Sequence, residues 1–203
     1  MTKNRIRALW IVGAGLAWLV VVGVGQRAML NYEFAPAVPG TPPTKWPEKS
    51  KIQHVQGIPT IVMVAHPRCP CTRATIEELA RMMVKLQNRA SVTVVFVRFD
   101  GLADDWEKTD LWRSASAIPG VSAVSDPEGV EALLFGAQAS GQTMLYSASG
   151  DLQFSGGITA SRGHSGDNPG HSAIVSLVTT GSSTVHHTSI YGCSLHSPER
   201  AVR

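Results

Sequence analysis

The chain has 203 residues, 43% of them apolar, and carries 18 Lys+Arg against 15 Asp+Glu for a formal net charge of +3. Apolar content at that level excludes a disordered chain, and 12 prolines without a repeat exclude a collagen-like one. The charge surplus is confined to Lys3, Arg5 and Arg7, leaving 15 basic and 15 acidic residues from Arg27 onward; a nucleic-acid partner, which needs a basic folded face, is not expected.

Ala8–Gly25 is a run of 18 uncharged, mostly apolar residues. At about 1.5 Å per residue it spans ~27 Å as a helix, enough to cross the hydrocarbon core of a bilayer. It reads as an anchor in preference to a cleaved signal peptide, for which Gly23-Val24-Gly25 would be the cleavage site. The three basic residues ahead of it predict a cytoplasmic N-terminus and a domain on the far side of the membrane. The expected layout is a leader over 1–7, a transmembrane helix over 8–26, a linker over 27–51, a domain over 52–185 and a tail over 186–203. Five prolines in residues 36–47 favour an extended, semi-rigid spacer, unless Trp46 packs the linker's end on the domain.

Within the domain, Ile58–Ala65 is a continuous apolar run of strand length, as expected of a strand buried on both faces. Thr72–Asn88 has helical periodicity, with Ile76, Leu79, Ala80, Met83 and Leu86 inward and Glu77, Glu78, Arg81 and Lys85 outward. Thr72 or Thr75 could cap it, and Thr75 with Glu78 has capping-box spacing. Ser91–Phe99 reads as a strand, Leu102–Ala117 as an acidic helical return, and Val121–Ser125 as a short strand. Asp126-Pro127 would open a helix to Gly136, with Asp as N-cap and Pro at N1. Gln142–Ala148 and Leu152–Gly156 flank a Ser149-Gly150-Asp151 turn, and Asn168-Pro169 starts a last helix to Thr180. This order predicts an α/β domain with a central mixed sheet, helices on both faces, and an antiparallel hairpin at one side.

Chemistry concentrates where the first strand meets its helix. Cys69-Pro70-Cys71 lies at the start of that helix, where free N–H groups and the positive helix end favour a thiolate, the nucleophilic form. His66 and Arg68 would add positive charge, and Pro70 would set the turn. Ser155–Gly170 holds five glycines and Arg162, the one Lys or Arg between Arg113 and Arg200. Arg162 would bind an acidic group, pair with Asp167, or help hold a thiolate. Cys193, in Tyr191-Gly192-Cys193, is the third thiol: a resolving cysteine, a permanent partner, or merely buried.

The element order and the cysteine pair ahead of the helix resemble the thioredoxin superfamily. The stretches HPRCPCTRATIEELARMM, GGITASRGHSGDNPG and YGC are similar to bacterial membrane-anchored RedB-type proteins of that superfamily. The resemblance implies a thioredoxin-like fold and a thiol–disulfide oxidoreductase of the inner membrane. Its single span would leave the domain in the periplasm, where it exchanges with a protein thiol or disulfide partner. Cys69 would attack and Cys71 resolve, with no cofactor. Two departures stand out. The pair lacks one spacer residue relative to C-x-x-C, so a disulfide between its members would be strained and easily reduced. Where the superfamily has a cis-proline facing the cysteines, this chain has Gln142 followed by Thr143. The competing expectation is a copper(I)-binding metallochaperone holding the ion through Cys69, Cys71 and His164, by analogy with copper-delivery proteins of the same fold and by ligand softness.

Overall fold

A computed structural model describes residues 3–99, 101–103 and 105–195. Residues 1–2 of the expected leader and 196–203 of the expected tail lie outside the described residues. The chain forms two compact units, residues 1–35 and 36–203.

The first unit is helix α1, Lys3–Glu33, 31 residues long. It continues past the apolar run, since nothing from Gln26 to Glu33 is a proline or glycine. Its apolar stretch is exposed all round (Leu9, Trp10, Ile11, Trp18 and Val21 are each more than half accessible). Its length and composition suffice to cross a membrane.

The second unit is built on a five-stranded sheet in the order β3-β2-β1-β4-β5, formed by β1 (Thr60–Ala65), β2 (Ser91–Arg98), β3 (Val121–Pro127), β4 (Gln142–Tyr146) and β5 (Leu152–Gly156). The first three strands are parallel; β4 runs antiparallel to β1, and β5 to β4. All six residues of β1 are buried, as a central strand covered on both faces requires. Helices α2 (Pro70–Leu86), α3 (Asp110–Ser116) and α5 (Pro169–Thr180) pack on one face around Met63, Leu79, Phe96, Phe154 and Ile174. The other face carries α4 (Val130–Leu134), Trp46, Ile52 and Leu195 over Val62, Met144 and Tyr146.

Four local expectations change. The 102–117 return is helical only over α3. The loop before it turns Trp106 onto His66 and Phe99, with ring centroids 5.8 and 6.1 Å away. At Asp126-Pro127 the strand persists through Pro127 and the helix begins at Val130. Asp126 still caps that helix from the strand end, its buried carboxylate accepting from the N–H groups of Glu131 (2.8 Å) and Ala132 (2.9 Å); burial raises its pKa, offset in part by these bonds. The start of α2 has no side-chain cap, and Thr75 Oγ1 donates instead to the Cys71 carbonyl at 3.3 Å. Glu78 is not on the solvent face but buried at 1% exposure. Its carboxylate accepts from Gly166 N–H (2.7 Å), His171 Nδ1 (3.0 Å), Asn168 Nδ2 (3.4 Å) and Arg81 (2.9 Å). Asn168 caps α5 by accepting from His171 N–H at 2.8 Å. The glycine-rich loop is thus tied to α2 through one carboxylate.

The linker is not a free spacer in its second half. Trp46 N–H donates to Gly150 O at 2.7 Å and Leu152 N–H to Thr44 O at 2.9 Å. The Trp46 ring meets Phe135 and Tyr146 edge-on at 5.0 and 5.2 Å. Part of the expected tail also packs: Ser155 N–H donates to His186 O at 3.0 Å, while the His186 and His187 side chains stay exposed. Both segments cover the outer edge of β5, whose backbone groups would otherwise be unpaired. The glycines of the loop permit this closeness, since a Cβ on Gly157 would lie 2.5 Å from Ser189 O.

Candidate functional site

Cys69 is the N-cap residue of α2, at φ −82° and ψ 117°, with Pro70 in the first turn. Its sulfur is therefore at the positive end of a 17-residue helix. Cys69 and Cys71 are buried, at 1% and 7% exposure, and Cys193 is half-buried. None of the three is in a disulfide, and the sulfurs of Cys69 and Cys193 lie 2.8 Å apart.

The electrostatics distinguish the two members of the turn. The Cys69 thiol is held far below its usual pKa, foremost by the S–H of Cys193 and then by that of Cys71. Burial opposes the shift, and Thr72 and the Cys193 backbone add to it. Cys71 is pushed far up, because it donates to the Cys69 sulfur, is buried, and sits beside that charge. Arg162 bonds to Cys71 and offsets part of this. The arrangement thus favours negative charge on Cys69 over Cys71.

His66 and Arg68, expected to supply the positive charge, do something else. Burial lowers the His66 pKa, and its Nδ1 accepts from the Arg68 N–H at 3.1 Å, so the ring is neutral. The Arg68 guanidinium lies 4.7 Å over the Trp106 ring in a cation–π contact. Gln142 opens β4 opposite Val64 and, by strand alternation, shares the face of Met144 and Tyr146 rather than that of the cysteines. Its Oε1 accepts from the N–H groups of Gly40 (3.1 Å) and Gln138 (3.2 Å), and its Nε2 is buried with no hydrogen-bond partner. The Thr143 hydroxyl donates to Gly141 O at 3.2 Å. No described peptide bond is cis.

The residue that takes up the space beside the cysteines is Ser140, whose role the sequence did not signal. Its hydroxyl bonds to Thr72 Oγ1 (2.6 Å) and accepts from His66 N–H (2.8 Å), and its own N–H donates to Cys193 O at 2.8 Å. Arg162 Nη1 donates to Gly192 O at 2.9 Å, so the loop arginine joins Cys71 to the segment bearing Cys193. His164 is exposed, with Nδ1 at 2.9 Å from Arg162 O and 3.2 Å from Ser161 Oγ. Among the described residues no group of three or more His, Cys, Asp or Glu side chains is arranged to hold a metal ion.

A β-α-β unit followed by an antiparallel hairpin and helix, with Cys69 heading the helix after the central strand, decides the architecture. The fold is thioredoxin-like. No protein-family model and no curated protein sequence matches the chain. An uncharacterised conserved protein from Geobacillus kaustophilus is similar in structure, with 14% identity, 79% of this chain and 91% of that one covered, and a TM-score of 0.57. A hypothetical protein from Sinorhizobium meliloti has 17% identity, coverages of 79% and 93%, and a TM-score of 0.56. A secreted Mycobacterium tuberculosis disulfide oxidoreductase has 14% identity, coverages of 62% and 83%, and a TM-score of 0.44. At these identities the likeness concerns the fold. Within this thioredoxin-like frame, the cis-proline corner is replaced by a trans Gly141-Gln142 corner, with Gly141 at φ +86° and its N–H donating to Val64 O at 2.8 Å. A Cβ on Gly141 would also lie 3.1 Å from Thr75 Oγ1.

Proposed function

We propose that this is a membrane-tethered thiol–disulfide exchange protein of the RedB type, with Cys69 as the attacking thiolate and its domain in the periplasm. The observation that carries the reading is a buried cysteine at a helix N-terminus with the Cys193 sulfur 2.8 Å away, surroundings that lower its pKa. A thiolate is the attacking species in exchange. The three stretches that carry the RedB resemblance also meet, through Cys69 to Cys193 and Arg162 to both Cys71 and Gly192. The tether follows from α1 and the basic residues ahead of its apolar run. The partner is a protein disulfide or dithiol, and no cofactor is required for two-electron exchange between sulfurs.

The test is the pH dependence of exchange. Full-length reduced protein in detergent is mixed with an aromatic disulfide, and modification of Cys69 is followed by peptide mass mapping. An ordinary thiol of pKa about 8.5 slows roughly tenfold for each unit below it. Because the Cys69 pKa is depressed, its thiolate persists, and its rate is expected to stay nearly flat from about pH 8 to about pH 5. Burial lowers the His66 pKa, so no step at or above neutral pH is expected from His66. A tenfold fall per pH unit at Cys69 would count against the lowered pKa. One-to-one copper(I) binding by the reduced protein, lost in Cys69→Ser and unaccompanied by exchange, would replace the reading with the metallochaperone.

A further inference from the structure

We propose that residues 192–195 form an internal docking strand that fills the place of a partner polypeptide and makes Cys193, not Cys71, the thiol that closes a disulfide with Cys69. The proposal rests on the reading of Cys69 as the attacking thiolate.

The strand character is in the backbone. Ser140 N–H donates to Cys193 O at 2.8 Å, Leu195 N–H donates to Gln138 O at 2.9 Å, and Ala139 and Ser194 form an antiparallel bridge. These backbone groups of 138–140 precede β4 and lie beside the cysteine turn; they are what an extended peptide would pair with to present a cysteine to Cys69. The chain's own tail has taken them. The fit depends on one small residue, because a Cβ on Gly192 would lie 1.8 Å from Ser140 O. The segment is anchored on both sides of Cys193. Ile190 and Leu195 are buried at 2% and 1% exposure, Ala37 N–H donates to Ile190 O at 2.8 Å, and Arg162 grips Gly192 O.

Cys71 is poorly suited to the same task. It lies two residues from Cys69, in the first turn of α2, close enough for its S–H to reach the Cys69 sulfur but tied to it through a single residue. A ring closed across one intervening proline would be strained. Its S–H instead donates to the Cys69 sulfur, which lowers the Cys69 pKa, and Arg162 bonds to Cys71. Cys193 approaches from a separate segment, free of that ring.

The chemistry balances with a partner disulfide as oxidant. The Cys69 thiolate attacks one partner sulfur; a Cys69–partner bond forms, the partner S–S bond breaks, and the second partner sulfur leaves as a thiolate. Cys193, having given up its proton, attacks the Cys69 sulfur, forms Cys69–Cys193 and expels the first partner sulfur as a thiolate. The partner disulfide gains two electrons, the Cys69–Cys193 pair loses two, and the Cys193 proton ends on a departing thiolate.

The test uses full-length reduced protein in detergent micelles with glutathione disulfide, quenched in acid and mapped by mass spectrometry without reduction. Wild type is expected to give a Cys69–Cys193 cross-linked peptide, as is Cys71→Ser. Cys193→Ser should accumulate glutathionyl-Cys69 that persists about tenfold longer or more, because resolution has lost its intramolecular nucleophile. Gly192→Val keeps all three thiols but displaces the strand, and should shift the product from cross-link to adduct. A Cys69–Cys71 peptide as the main wild-type product, or equally fast resolution in Cys193→Ser, overturns the proposal while leaving Cys69 as the nucleophile. Absence of both adduct and cross-link at Cys69 in every variant overturns the parent reading, and the internal strand's role with it.

Discussion

Cys69→Ser is expected to bring exchange with a test disulfide to the uncatalysed rate, while Cys71→Ser retains much of it. A serine hydroxyl cannot form or break an S–S bond, so the loss follows from chemistry and not from packing. The asymmetry follows from the site. Cys69 receives hydrogen bonds from Cys193, Cys71 and Thr72, which lower its pKa, whereas the Cys71 thiol is raised by donating to Cys69 and by burial. Serine at position 71 keeps a donor of similar size, so it preserves most of that support. Alanine there removes the donor and should slow exchange at low pH, where the Cys69 thiolate needs it. The measurement is the exchange rate of each variant beside its circular-dichroism spectrum. Equal loss in Cys71→Ser and Cys69→Ser, with both folded, would show that the two sulfurs act as an obligatory pair.

Glu78→Ala should destabilise the domain by about 3 kcal/mol, the cost of leaving buried and half-buried donors unsatisfied. For a domain of this size that is a fall in Tm of roughly 6–12 °C. Two donors lose their acceptor, the N–H of Gly166 and the Nδ1 of His171, while Asn168 Nδ2 loses a 3.4 Å contact and keeps its bonds to Ile158 O and Gly166 O. His171 is neutral at neutral pH, since burial lowers its pKa more than Glu78 raises it. Its bond to the carboxylate is therefore charge-assisted by one partner only. Arg81 is more than half exposed, and its ion pair contributes little in comparison. Glu78→Gln keeps volume and one oxygen but turns an amide donor toward the other donors, so an intermediate loss is expected. Thermal unfolding of the full-length protein decides it; a change within about 1 kcal/mol for Glu78→Ala would mean that water satisfies the loop.

The order of strands and helices was legible because each carries a local signal. The β-branched run of β1 and β2 needs no partner to be recognised, and Asn168-Pro169 marks the start of α5 at the residue where the structure has it. The cysteine turn at a helix N-terminus was legible for the same reason. Boundaries that depend on a neighbour were not. Asp126-Pro127 has the local chemistry of a helix start, yet β3 continues through it by pairing Asp126 with Val97 and Pro127 with Arg98. Glu78 has the spacing of an outward residue on α2, and only the glycine-rich loop folding back over it makes that position interior.

The site divides the same way. By itself the sequence determined the thioredoxin-like element order, the apolar segment that becomes α1, and the location of Cys69 ahead of its helix, because these depend on composition and period over a few residues. Which groups surround Cys69 was decided by tertiary structure alone. His66 and Arg68 are its sequence neighbours, but the turn sends Arg68 onto Trp106 and buries His66 as a neutral ring. Cys193 is 124 residues distant along the chain and 2.8 Å away in space, brought there by backbone pairing with 138–140 that needs glycine at 192 and little else of the side-chain sequence. Backbone hydrogen bonds of that kind leave almost no trace in side-chain pattern, and that is why the sequence left Cys193 open between resolving thiol, permanent partner and buried residue until the folded chain set its sulfur beside Cys69.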